Sequence, residues 1–239
     1  MLHSTRLRHR KLVAHETLAI GVDRPGEFDF EAGQYADLTV FNAGDRDALG
    51  PIRSLSIASV PGADYLEFIM RVRDTAFKRS LATLPVGADL LVEGPFDDLG
   101  FSRENGREMV FIAGGVGIAP FMSVLRETAA AGGELPATLF YSNRRPEDAA
   151  YLEELRRLED DISGLRLVPT MTGMAESSLE WEGETARLEM DLLERYLPSI
   201  VGPSYYIVGS PTLISQMRRT LTGAGVPDAD IGLEMYSGY

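Results

Sequence analysis

The residues of this chain whose types and spacing can do chemistry begin with Phe111 to Leu125, FIAGGVGIAPFMSVL. An apolar run of strand length leads into glycines at 114, 115 and 117, and Phe121, Val124, Leu125 and Thr128 then fall at i, i+3, i+4 and i+7 of a helix. A turn almost free of side chains lets a ligand lie on its backbone amides and on the start of the next helix, whose first N–H groups point outward unpaired. That is a place for a pyrophosphate, with Gly114, Gly115, Val116, Gly117, Ile118 and Pro120 as its residues. The pattern is not the strict GxGxxG fingerprint, because Pro120 stands where a third spaced glycine would be, and no lysine follows as in a Walker loop. The alternative reading is a tight strand-to-helix turn that needs small residues only for packing.

Two further stretches have related chemistry. In YSNRRPEDAAYLEEL, Ser142, Asn143, Arg144 and Arg145 form a polar loop after a strand, and Pro146 opens an expected helix from Glu147 to Glu159 with Leu152, Leu155 and Leu158 toward the sheet. In doubly wound folds this position reads the adenosine ribose by an acid, or its 2′-phosphate by an arginine. Arginine is present and no acid ends the strand, which favours NADPH over NADH; solvated arginines at a helix start are the competing reading. In YYIVGSPTLISQMRRTL, Gly209 lets a flat group approach a strand end, Ser210 caps, Pro211 sits in the first turn, and Leu213, Met217 and Leu221 share one helix face.

The elements that must position these residues change character along the chain. Arg6–His15, Leu18–Asp23, Gln34–Phe41, Arg53–Ser59, Tyr65–Val72 and Asp89–Glu93 read as short antiparallel strands, with one helical insert at Phe77–Leu84. They suggest a small barrel or sandwich. From Met109 on, strands at Met109–Ala113, Ala137–Ser142, Leu165–Thr170, Tyr205–Val208 and Ile231–Met235 alternate with helices at Phe121–Ala131, Glu147–Glu159, Met190–Leu197 and Thr212–Gly223. Such alternation implies a parallel sheet covered on both faces. The polar SRENGRE stretch marks a boundary, giving domains of residues 1–103 and 104–239.

Composition narrows the function classes. A formal charge of −13 disfavours nucleic-acid or anionic-membrane surfaces. The sequence contains neither a bilayer-length apolar stretch nor a signal-peptide core, so a cytoplasmic protein is expected. With no cysteine, these 239 residues hold no disulfide, thiol nucleophile or cysteine-ligated cluster. The three histidines, His3, His9 and His15, read as solvated strand residues, and no metal site is expected.

The order RSLSIAS (53–59), FKRSL (77–81), EGPFDD (93–98), the glycine turn, YSNRRPEDAAYL (141–152), IVGSP (207–211) and EMYSGY (234–239) resembles the ferredoxin-NADP reductase superfamily. More narrowly, it is similar to compact prokaryotic flavin reductases without an appended iron–sulfur domain. The resemblance implies a six-stranded antiparallel barrel holding FAD and a five-stranded parallel sheet holding NAD(P)H. The R-x-Y-S flavin signature stands here as Arg53, Ser54, Leu55 and Ser56. It implies Arg53 on the FAD pyrophosphate and the Ser56 hydroxyl near flavin N5, with Arg71, Phe77, Lys78, Arg79 and Ser80 completing the cofactor site. Leu55 departs from the pattern's tyrosine and cannot stack as an aromatic, which leaves FAD or FMN, and tight or exchanging flavin, open. Glu234 matches the glutamate of a terminal E-x-Y, and Tyr239 or Tyr236 would cover the flavin. Val208 stands where many relatives carry cysteine. The loop Gly173–Ala186, with Trp181, lies near the bound nucleotide or is an exposed loop pinned by that tryptophan.

The activity implied is that of a flavin-dependent NAD(P)H oxidoreductase handing electrons to a separate ferredoxin, another redox protein or a small molecule. The alternatives are a free-flavin reductase, an electron-transfer subunit of a larger oxidoreductase, and a non-catalytic nucleotide-binding regulator.

Overall fold

Six antiparallel strands build the first unit: β1 (Leu2–Ala14), β2 (Thr17–Asp23), β3 (Tyr35–Val40), β4 (Ile52–Ser56), β5 (Tyr65–Arg71) and β6 (Asp89–Phe96). The computed structural model describes residues 1–41, 50–72, 75–102 and 106–235. The strand order is β4-β3-β6-β1-β2-β5, and a bridge between Ile57 and Phe68 joins the two ends, closing a barrel. Its core gathers Leu7, Ile20, Leu38, Ile57 and Phe68 together with Phe77 and Leu81 of helix α1 (Ala76–Thr83), which follows β5. Strand β1 begins earlier than the expected Arg6, because Leu2 to Arg6 pair with Glu93 to Asp89. That pairing leaves no local hydrophobic signature, and Leu2 itself is exposed.

This unit comprises Met1–Asp97 and also Ala119–Glu127, the first part of helix α2 (Ala119–Ala130). Ser123 Oγ donates to the Ser59 carbonyl at 2.7 Å, and Arg126 Nη1 donates to Ala58 O at 2.8 Å and to Glu67 Oε1 at 2.7 Å.

The second unit comprises Asp98–Ile118 and the residues from Thr128 on. Phe101 belongs to it through ring contacts with Phe111 and Tyr206 at 5.9 and 5.3 Å. Its strands are β7 (Met109–Gly114), β8 (Glu134–Asn143), β9 (Ser163–Met171), β10 (Ser204–Gly209) and β11 (Ile231–Met235), all parallel in the order β11-β10-β7-β8-β9. Strands β7 and β10 are apolar and buried along nearly their whole length, as central strands covered on both faces must be. Helices α3 (Leu152–Asp161), α4 (Met190–Tyr196) and α5 (Pro211–Gly223) supply the covering, with Leu192, Leu193, Ile214, Met217 and Leu221 in the core. The edge strand β11 is clamped at its start, where Arg107 grips Asp230 through both oxygens at 2.6 and 2.9 Å and donates to Gly202 O at 2.7 Å. At the other edge, the segment 184–186 runs beside β9: Met171 N donates to Glu184 O at 2.9 Å and Thr170 Oγ1 donates to Ala186 O.

One expected helix is shorter than predicted. Pro146 opens only a 3-10 turn (Pro146–Asp148); Tyr151 then adopts a left-handed backbone with φ of 58°, and α3 starts at Leu152 rather than Glu147. The cause is tertiary. Asp148 is buried against Arg145, and the buried Tyr141 hydroxyl donates to Ala150 O at 3.1 Å, so residues 145–150 are held as a loop.

Candidate functional site

The strand order fixes where a ligand can reach the parallel sheet. From β7 the chain winds to β8 and β9 on one side and later to β10 and β11 on the other, so the order reverses between β7 and β10. At such a switch point the carboxyl ends of the strands leave a crevice. Gly114 ends β7 level with Ser142 of β8, and Gly209 ends β10, so these predicted residues do come to one edge.

The glycines there divide their work. A Cβ on Gly117 would stand 2.3 Å from the Val208 carbonyl oxygen, a clash that only a shift of backbone could relieve. A Cβ on Gly114 or Gly209 would stand 2.7 or 2.9 Å from Leu213 Cδ2, a side-chain end that can shift. Close packing therefore explains these three. Gly115 differs: its φ is +54°, and a Cβ there would meet nothing within 4 Å. It starts a 3-10 turn, Gly115–Ile118, that carries the chain from β7 into α2, and it leaves an open face over the strand end. Val116 and Ile118 lie in the same turn, and Pro120 is buried in the first turn of α2. Ser210 caps α5 as its sequence predicts, its hydroxyl accepting from Leu213 N at 3.3 Å, with Pro211 at the first helical position.

Beside this crevice, the loops after β8 and β9 are hydrogen-bonded to each other. Thr172 N donates to Asn143 O at 2.9 Å and Gly173 N to Arg144 O at 2.7 Å. Glu147 accepts from Ser177 Oγ, Ser178 N and Ser178 Oγ at 2.9, 2.7 and 2.8 Å. Its carboxyl is pulled down to about 2, first by its own backbone amide and then, against a smaller opposing desolvation, by the amide and hydroxyl of Ser178 and the hydroxyl of Ser177. Arg145 holds Asp148 through Nε and Nη2 at 2.9 and 3.1 Å, which raises the arginine's already high pKa, and Arg144 Nη2 meets both oxygens of Glu176 at 2.7 and 2.8 Å. Asn143 is only 6% exposed, and neither its Nδ2 nor its Oδ1 has a hydrogen-bond partner among the described residues. A buried amide left open in this way is suited to a ligand that supplies both a donor and an acceptor.

Sequence reasoning did not find Asp148, Glu147 or Glu176. Asp148 has a local signal, its i, i+3 spacing from Arg145 across Pro146. Glu176 has none, being 32 residues from Arg144. Trp181 donates Nε1–H to Glu184 O at 2.9 Å and lies under the Arg156 guanidinium of α3 at 5.7 Å, an arrangement that pins the 173–186 loop.

In the barrel, Arg53 is buried with its guanidinium 5.1 Å over the ring of Phe77, and its Nη1 donates to Gly50 O and Ile52 O at 2.9 and 2.7 Å. Arg71 ends β5, Thr75 caps α1 by accepting from Lys78 N, and Lys78, Arg79 and Ser80 occupy the early part of that helix. Arg53 over Phe77 and Lys78 and Arg79 in the first turns of α1 thus put three basic residues at one helix start in a chain of charge −13, a donor set suited to a diphosphate. Ser56 is buried, Ser54 Oγ donates to Asp37 at 2.5 Å, and Leu55 is packed in the barrel core. Glu234 is buried on β11 level with Val208; Tyr236 and Tyr239 lie outside the described residues.

Residues 111–219 match the family described as oxidoreductase NAD-binding domain. The chain is similar to the reductase component of propane 2-monooxygenase from Mycolicibacterium goodii, 27% identical over 219 residues, covering 89% of this chain and 61% of that protein. It is also similar to methane monooxygenase component C of Methylosinus trichosporium, 34% identical over 139 residues, covering 57% of this chain and 39% of that protein. In three dimensions it resembles a ferredoxin NADP+ reductase of Neisseria gonorrhoeae with bound FAD and NADP, at a TM-score of 0.81 and 21% identity over 98% of each chain. The chain spans less than two thirds of the length of the curated relatives it matches, 61% for the propane monooxygenase reductase.

Proposed function

We propose that this chain belongs to the ferredoxin-NADP reductase superfamily and that it draws electrons from a reduced nicotinamide dinucleotide through bound FAD and delivers them to a separate acceptor. The observation that carries this reading is the glycine-lined switch point of the parallel sheet, which falls inside the residues that match the NAD-binding family. In it, the open turn from Gly115 to Ile118 takes the dinucleotide pyrophosphate, Ser142 to Arg145 face the adenosine end, and the end of β10 from Gly209 to Pro211 faces the nicotinamide. Arg53, Lys78 and Arg79 take the flavin diphosphate, and the Ser56 hydroxyl orients the reactive edge of the ring.

Held by Arg53, Lys78 and Arg79, FAD would supply hydride acceptance from the nicotinamide and release of the two electrons together or singly. No side chain need move a proton for that transfer, so the chain's own contribution is alignment and exclusion of water. Lacking cysteine, these residues hold no cluster to pass electrons onward. An oxygenase system or its ferredoxin is the acceptor class suggested by relatives named as monooxygenase reductase components. We place this chemistry in the cytoplasm, where reduced nicotinamides are maintained.

Anaerobic stopped-flow mixing of the purified protein with NADH and with NADPH tests the reading: bleaching of the flavin absorption is expected, and the absence of bleaching of bound or added flavin by either donor overturns it. Leu55, buried in the barrel core, keeps a second reading in view, because its position supplies no aromatic stack. A colourless protein that reduces added FMN or riboflavin assigns a free-flavin reductase.

A further inference from the structure

The arginine pair after β8 does not face solvent as two open cations. Arg145 is spent on Asp148, whose side chain is 2% exposed, and this pair holds the loop shape. Arg144 and Glu176 are 63% and 61% exposed and meet at the surface, so they are the part of the loop that a ligand can engage. Glu176 does not arrive there by chance flexibility. Its turn is fastened to the β8 loop by the Thr172 and Gly173 amides, by Arg145 Nη1 on the Glu176 carbonyl at 3.3 Å, and by Ser177 and Ser178 on Glu147. Together the two loops bring Arg144 and Arg145 against Glu147, Asp148 and Glu176, an excess of negative charge.

We infer that Glu176 decides which nicotinamide dinucleotide this edge accepts, and that it selects the one without a 2′-phosphate. A 2′-phosphate brings nearly two negative charges. To reach the Arg144 fork it must displace a carboxylate already bound there through both oxygens, in a loop that stays anionic because Glu147 remains ionised. A ribose 2′-hydroxyl meets no such repulsion, since it donates to a carboxylate and accepts from a guanidinium. Arginine in this loop therefore does not signal NADPH; the acid fixed onto it reverses the preference. The inference rests on the reading that a nicotinamide dinucleotide binds at this edge.

The test is equilibrium titration of the whole protein with NADH, NADPH, ADP and 2′,5′-ADP, repeated for Glu176→Gln and for Glu176→Gln combined with Arg144→Ala. Wild type is expected to bind NADH and ADP more tightly than their 2′-phosphorylated counterparts. Glu176→Gln should tighten the phosphorylated pair about tenfold, the scale of one charge removed near a surface, and change the others less than about threefold. The added Arg144→Ala should cancel that gain, which general loosening of the loop would not do. A wild-type preference for NADPH, or an unmoved ratio in Glu176→Gln with binding intact, overturns the role of Glu176 alone. Failure of the folded wild type to bind any of the four overturns the nucleotide site itself, and this inference with it.

Discussion

Gly117 is the least replaceable residue of the glycine turn. Its missing side chain makes room for the Val208 carbonyl, so Gly117→Ala sets a methyl group 2.3 Å from that backbone oxygen and should cost about 1–3 kcal/mol of stability, as overpacked cores do. Gly115→Ala meets no atom and should cost only about 1 kcal/mol for its left-handed backbone. Yet it puts a methyl group on the face assigned to the pyrophosphate. Thermal unfolding paired with dinucleotide titration separates the two: Gly117→Ala should lose mainly stability, Gly115→Ala mainly affinity. The reverse order would place the ligand elsewhere. The glycines are plain in the sequence, but their division of labour is not, because Val208 of β10 and Leu213 of α5 lie far along the chain.

At the scale of elements, the link between the β8 and β9 loops includes one ionised group, Glu147, beside the backbone and arginine hydrogen bonds. Glu147 is depressed from an ordinary 4.5 to about 2, so the folded loop favours the charged form. Its contribution is complete above the ordinary value and is lost as pH falls from there toward 2. The single tryptophan, Trp181, reports on that segment, and its emission should show a transition in this acid window. Glu147→Gln should remove the transition; its persistence would assign it to another group. Strands and helices with a clean period were legible from the sequence, as α5 with its Ser210 cap and Pro211 shows. The start of α3 was not, since a Tyr141 hydroxyl and an Asp148 carboxylate overrule the local preference of PEDAAYL for helix. Of the candidate site, the glycine turn and the arginine loop were readable because each is local. Glu176 was hidden because its partner is reached only through the pairing of β8 with β9.

For the whole molecule, a charge of −13 would act on any charged acceptor of the proposed electron transfer before contact. Oxidation of the reduced protein by a cationic one-electron acceptor should slow as salt is raised through the range where the screening length falls below about 10 Å, whereas an anionic acceptor such as ferricyanide should speed up. Salt dependence of the same sign for both would show that local patches, not net charge, govern the encounter. The segment beside β9 has a different consequence. A sheet edge with open amides and carbonyls invites a strand from another copy. Here residues 184–186 already occupy the carboxyl-terminal part of that edge, held by Trp181 on Glu184 and by the Thr170 hydroxyl on Ala186. The Trp181 indole, by holding Glu184 in place, thus helps satisfy that part of the edge from within the chain, where a strand of another copy would otherwise find open groups.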